Sequence, residues 1–267
     1  MCKIFTEDPN IVKRLINIIT NYSSISFNSQ QQVKAAALRV LTYLCINEQA
    51  LIKIFKESAS GKCFISYISN ETSEIIQQEA VGLMVQITSP FIDCNKNIYN
   101  ELNTLNIIDD FVQNLSQIAK TTSSHEIFLL TSASLANISF KDVESIVKWN
   151  TMEILVNACK VRINFDEIII KDQIVTLLAN VARKYPLEIV RSGGLVFLLC
   201  SLQLRPSSAL ENNNNLVAIE RIQQKTAVAL ARLGNHKSVA KLIYKLNGIN
   251  RLIELCKNAK ERNFSDT

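Results

Sequence analysis

Glycine and proline are the scarcest structural signals in this 267-residue chain, at six and four residues. Both residues punctuate chains that reverse direction often, so their scarcity excludes a fold of many hairpins and tight turns. Cysteine pairing is equally unpromising. The seven cysteines, Cys2, Cys45, Cys63, Cys94, Cys159, Cys200 and Cys256, are odd in number and far apart, with no C-x-x-C. They read as reduced thiols, with Cys45, Cys159, Cys200 and Cys256 expected at buried helical positions as small hydrophobes. No apolar run approaches the ~18 residues of a membrane span, and the longest uninterrupted stretch is only 193–200. The first residues lack the apolar segment of a secretory signal. These absences predict a cytoplasmic protein with no integral membrane segment.

Chemistry-bearing motifs are missing too. There is no G-x-G-x-x-G, no G-x-x-x-x-G-K-[ST] and no G-x-S-x-G, so neither a nucleotide cradle nor a nucleophile elbow is offered. His125 and His236 each border a long helical segment, and neither has the second histidine a helical zinc site needs. Asp109-Asp110 and Asp166-Glu167 are adjacent pairs. Neighbours on a helix point about 100° apart, so they suit first-turn charges better than an acid–base dyad. The expectation is a protein that is not an enzyme, with no catalytic residue, metal or cofactor.

Charge is mildly basic at +5, and unevenly placed: between Arg232 and Arg262 eight Lys/Arg face only Glu254 and Glu261. Aromatic residues sit among aliphatic ones rather than interleaved with these cations, so no nucleic-acid partner is expected.

What the chain does have is a repeat. Residues 33–44, 76–87, 127–138, 169–181 and 222–233 share one helical pattern, ending on Leu44, Ile87, Ile138, Val181 and Leu233 at intervals of 43, 51, 43 and 52 residues. Three residues before each anchor stands a large apolar residue, Leu41, Met84, Leu135, Leu178 or Leu230, and small residues (Ala136, Ala179, Ala231) fall between. Apolar residues at i and i+3 with small ones between them describe a helix buried over most of its girth. Between these long helices, residues 141–161, 186–202 and 236–256 each read as a short helix, a turn and a medium helix. Pro186 fits a helix first turn, and Gly193 and Gly248 fit the reversals.

Short, medium and long helices recurring near 43 residues predict an all-α, armadillo-type (ARM/HEAT-like) right-handed superhelical solenoid of about five to six repeats. It is expected as a single domain over 1–267, cut at both ends. Residues 1–45 make a partial repeat, further repeats end near 87, 138, 181 and 233, and 236–267 is incomplete. The longer intervals imply insertions, one within Asp93–Ser124 and one at Asn212–Asn215, the latter expected as a solvated loop.

Armadillo third helices line a concave groove, and the residue before each anchor is expected to project into it. Those residues are Tyr43, Gln86, Asn137, Asn180 and Arg232. The amides among them can both donate to and accept from an extended peptide backbone. One turn earlier stand Arg39, Gly82, Ala133, Thr176 and Val228. Tryptophans there would sandwich cargo lysines, but none stands at these positions, and the one tryptophan, Trp149, falls in a short helix. The candidate groove therefore comprises Arg39, Tyr43, Gln86, Asn137, Thr176, Asn180, Lys225 and Arg232, and Arg39, Lys225 and Arg232 would suit an acidic ligand. Lys237, Lys241 and Lys245 recur every four residues and form a candidate basic face, for a protein partner or anionic lipid.

Residues 221–233 (RIQQKTAVALARL), 251–256 (RLIELC) with Glu261-Arg262-Asn263, 171–180 (KDQIVTLLAN) and 78–90 (QEAVGLMVQITSP) together resemble the C-terminal armadillo domain of the Inscuteable family. The resemblance implies a scaffold or adaptor for asymmetric cell division at the apical cell cortex. It would join Bazooka-type polarity proteins to Pins/LGN, the tetratricopeptide protein that orients the spindle, with room for an oligomer in the complex. Residues 1–32 do not match the family's main Pins-binding segment. The competing expectation is a generic armadillo peptide receptor in nuclear transport or signalling.

Overall fold

The computed structural model describes residues 10–21, 23, 26–46, 48–58, 62–68, 73–89, 107–161, 167–205 and 213–257. All regular structure among them is helical. The helices are α1 (Ile11–Asn21), α2 (Phe27–Leu44), α3 (Glu48–Glu57), α4 (Lys62–Ile68), α5 (Glu74–Thr88), α6 (Ile107–Thr121), α7 (His125–Ile138) and α8 (Val143–Lys148). They continue with α9 (Thr151–Val161), α10 (Ile168–Val181), α11 (Pro186–Arg191), α12 (Gly194–Leu202), α13 (Asn213–Gly234), α14 (Lys237–Lys245) and α15 (Gly248–Lys257). The five repeated segments are the long helices α2, α5, α7, α10 and α13.

The chain divides into two compact units, Met1–Ser145 and Ile146–Thr267. In the first, α2, α5 and α7 stack in order, and each rests on the medium helix before it, α1, α4 and α6 respectively. In the second, α10 packs on α13, while the medium helices α9, α12 and α15 follow one another alongside. Each unit thus repeats the same exchange of apolar faces between consecutive repeats, the arrangement of an all-α armadillo-type solenoid.

The sequence pattern explains that packing. The anchors and the residues three before them are buried, with Leu41, Met84, Leu135 and Leu178 fully so. Full burial of one such side chain stabilises by about 2 kcal/mol.

Turn chemistry is equally regular. Asn150, Gly193 and Asn247 each lie between a short and a medium helix with φ of 53°, 76° and 58°, and glycine and asparagine enter that left-handed region most readily. Gly193 therefore fulfils its expected role. Gly248 does not: Asn247 takes the left-handed conformation, and Gly248 begins α15. A Cβ on Gly248 would lie 2.6 Å from Leu199 Cδ2, so close approach explains this glycine. Pro186 occupies the first turn of α11 as expected.

Two further expectations need correction, the loop at the asparagine tract and the burial of two cysteines. Asn213–Asn215 open α13 rather than forming a loop, because asparagine costs an existing helix only about 0.5 kcal/mol per residue; Asn212 lies outside the described residues. Within Asp93–Ser124, residues 107–121 form α6, packed on α4 and α7, and 93–106 lie outside the described residues. Cys45 and Cys159 are buried, but Cys200 and Cys256 are exposed, because they occupy the outward sides of α12 and α15. Cys2, Cys94 and the end of the chain from 258 onward are not described.

Candidate functional site

An α-helix leaves its last four carbonyls without intrahelical donors. In this protein those carbonyls decide which groove-row side chains are available to anything else. Asn137 on α7 donates through Nδ2 to the Val85 carbonyl of α5 at 3.3 Å and to Thr88 Oγ1 at 3.2 Å. Arg232 on α13 donates through a guanidinium nitrogen to the Ala179 carbonyl of α10. Both donors immediately precede their own anchor, and both acceptors lie two residues before the anchor of the preceding long helix. The same crossing is therefore made once in each unit by a different residue type.

Other helix ends receive the same treatment. Tyr67 Oη on α4 donates to the Ile19 carbonyl near the end of α1 at 2.6 Å. The Leu202 carbonyl, last in α12, accepts from Gln223 Nε2 and Arg251 Nε, both at 3.4 Å, and Gln223 also reaches the Leu204 carbonyl at 2.8 Å. Side chains from other helices, within the repeat for Gln223 and from the next repeat for Tyr67 and Arg251, thus reach carbonyls that lack intrahelical donors.

A second crossing lies further up the long helices. Asp172 of α10 is buried and pairs with Arg221 at 2.9 Å and Lys225 at 2.8 Å, both on α13. Lys225 Nζ also donates to Thr176 Oγ1 at 2.7 Å, while Thr176 donates to the Asp172 carbonyl. The matching place between α2 and α5 is held by Arg39 and Glu79. Hydrogen bonding and charge from Glu79 raise the Arg39 pKa, reinforcing its cationic form.

The expected groove residues therefore fall into two groups. Arg39, Asn137, Thr176, Lys225 and Arg232 join consecutive repeats, and half-buried Asn180 also has a partner within the chain. The cations at Arg39 and Lys225 face carboxylates of their own chain, which lessens their pull on an acidic ligand. Tyr43 is 65% exposed, and Gln86 is half-buried with no hydrogen bond among the described residues. Sequence reasoning missed Glu79, Asp172, Gln223 and Arg251. Asp172 and Gln223 lie inside strings already marked by the repeat, but nothing in those strings reports burial of a polar group.

On α14, Lys237, Lys241 and Lys245 are all exposed, as the four-residue spacing predicts. Two thiols are unreactive by position: burial pushes Cys45 up to about 12 and Cys63 up to about 11, values at which almost no thiolate exists near neutrality. No described helix is long and apolar enough to cross a membrane.

Comparison with known proteins places this geometry in a family. The model of the protein inscuteable C-terminal family matches residues 1–267. The protein inscuteable homologs of Homo sapiens and Mus musculus are each 34% identical over 237 residues, covering 86% of this chain. The chain spans 40% of the length of these relatives. Among solved structures, a designed armadillo repeat protein in complex with peptide (KR)4 aligns with a TM-score of 0.69 and 15% identity, over 94% of both chains. That likeness shows the fold. The chain belongs to the inscuteable C-terminal family.

Proposed function

From this family membership we propose that the chain is a non-enzymatic adaptor that binds other proteins, linking cortical polarity proteins to the spindle-orientation machinery in asymmetric cell division. Its partners on this reading are the Pins/LGN tetratricopeptide protein and a Bazooka-type scaffold, and its place is the cytoplasm at the apical cell cortex. The observation that carries the reading is the inscuteable relationship over most of the chain, on a fold that stacks long helices and leaves polar positions uncommitted. The proposed contact surface comprises Arg39, Tyr43, Gln86 and Asn137 on the long helices of the first unit, and Thr176, Asn180, Lys225 and Arg232 on those of the second. Tyr43 and Gln86 supply its contacts to a ligand, because exposure gives Tyr43 an amphipathic surface to present and Gln86 keeps both amide functions. The remaining residues mainly set the spacing of the helices that present them.

A titration of this chain with purified Pins tetratricopeptide domain tests the reading. Binding at about micromolar affinity or tighter, weakened by Tyr43→Ala with Gln86→Ala, is expected. An alternating lysine–arginine peptide serves as the comparison ligand. If that peptide binds and the tetratricopeptide domain does not, the generic peptide-receptor alternative replaces the adaptor.

A further inference from the structure

The lysines of α14 differ from four other basic side chains of the second unit. Arg221 and Lys225 face Asp172, Arg251 faces Glu254 at 3.1 Å, and Arg191 pairs with Glu188. Lys237, Lys241 and Lys245 are exposed, α14 contains no acidic residue, and no ion pair among the described residues reaches them. They rim one shallow concavity with Gly234, Asn235 and Tyr244. Tyr244 is 70% exposed, placing an aromatic face and a hydroxyl beside the ammonium groups.

We infer that this concavity is a docking site for an acidic peptide segment in extended conformation, with carboxylates at alternate positions. Lysines four residues apart on a helix recur about every 6 Å. Side chains on one face of an extended chain recur about every 6.6 Å. Three successive carboxylates can therefore each meet an ammonium group without strain in either chain, and Tyr244 is placed to pack on the peptide or donate to its backbone. Concavity favours a peptide over a flat bilayer. Of the apolar side chains a surface helix would insert into lipid, Val239 and Ile243 are buried in the unit, leaving only Leu242 and the capping Leu246 exposed at this helix. This site is separate from the long-helix positions and does not depend on the adaptor reading.

Fluorescence anisotropy with a labelled decapeptide carrying glutamate at every other position tests the inference. The comparison probes are the glutamine version, a peptide with as many glutamates at every third position, and vesicles of phosphatidylserine and phosphatidylcholine. The alternating peptide is expected to bind tightest and to weaken as salt rises. Lys237→Gln with Lys241→Gln and Lys245→Gln should lower its affinity at least about tenfold with an unchanged melting temperature. Tyr43→Ala with Gln86→Ala should leave it unaltered, which separates this site from the proposed contact surface. Equal binding by the triple variant, or equal binding of the every-third-position peptide, would overturn the inference. So would lysine-dependent capture of the chain by vesicles without binding of the peptide.

Discussion

Where α7 meets α5, an uncharged amide makes the crossing; where α13 meets α10, three cations make it. Asn137 reaches Val85 and Thr88, whereas Arg221 and Lys225 reach Asp172 and Arg232 reaches Ala179. Asn137 and Arg232 meet the same geometric problem, a carbonyl in the last turn of the preceding long helix, while Arg221 and Lys225 make a separate crossing to Asp172 further up. A short amide solves that problem with little side-chain entropy and no charge. Long cations span a greater reach, and where they meet the buried Asp172 carboxylate the junction becomes sensitive to ionic strength. Before their anchors, Asn137 and Arg232 belong first to the stack, whereas Tyr43 and Gln86 in the same place are left for a ligand.

The harshest way to break the comparison removes what both junctions share. Leu135→Asp places a charge at a fully buried contact in α7 and should leave the protein without a cooperative thermal transition by circular dichroism. Next in size, Asp172→Ala should cost about 2 kcal/mol in denaturant midpoint analysis, less than a wholly buried pair because Arg221 and Lys225 reach solvent. That loss should shrink as salt is raised. Asn137→Ala should cost about 1–2 kcal/mol through its two lost hydrogen bonds, with no dependence on salt. Equal salt sensitivity of these two variants would remove the distinction drawn between the junctions.

Two smaller effects sharpen the picture. The Cys45 thiol has a folded-state pKa of about 12 against an ordinary value of 9.0, because burial disfavours its charged form. Its contribution is complete below the unfolded value and declines as pH rises from about 9 to about 12, since the unfolded chain ionises first. Cys45→Ala should flatten that part of the alkaline stability curve, at the cost of a lower plateau. Thr131 and Thr226 occupy equivalent places in α7 and α13, fully buried with hydroxyls that find no hydrogen bond among the described residues. Thr131→Val and Thr226→Val should each be neutral or stabilise by up to about 1 kcal/mol, with the same sign in both units.

The buried face was legible in the sequence because it depends on spacing within one helix. Leu135 and Ile138 are apolar, three apart, and must lie together on any helix that contains them. The polar crossings depend on how one long helix sits against another 52 or 53 residues away, an offset fixed by packing rather than by any local pattern. Asp172 reads as an ordinary helix-surface acid until α13 covers it. Cys200 and Cys256 fail for the same reason, since periodicity places them on a helix without saying which of its sides the next repeat will cover. Lys237, Lys241 and Lys245 were legible because a solvent face requires no partner to define it.

Titration of the Pins tetratricopeptide domain against two variants side by side is the most direct test of the division between stacking and binding positions. With both proteins folded at the working temperature, Tyr43→Ala with Gln86→Ala should lose at least about tenfold in affinity and keep its melting temperature. Asn137→Ala should lose melting temperature and keep its affinity. The reverse result, with affinity lost at Asn137 and retained without Tyr43 and Gln86, would contradict the account.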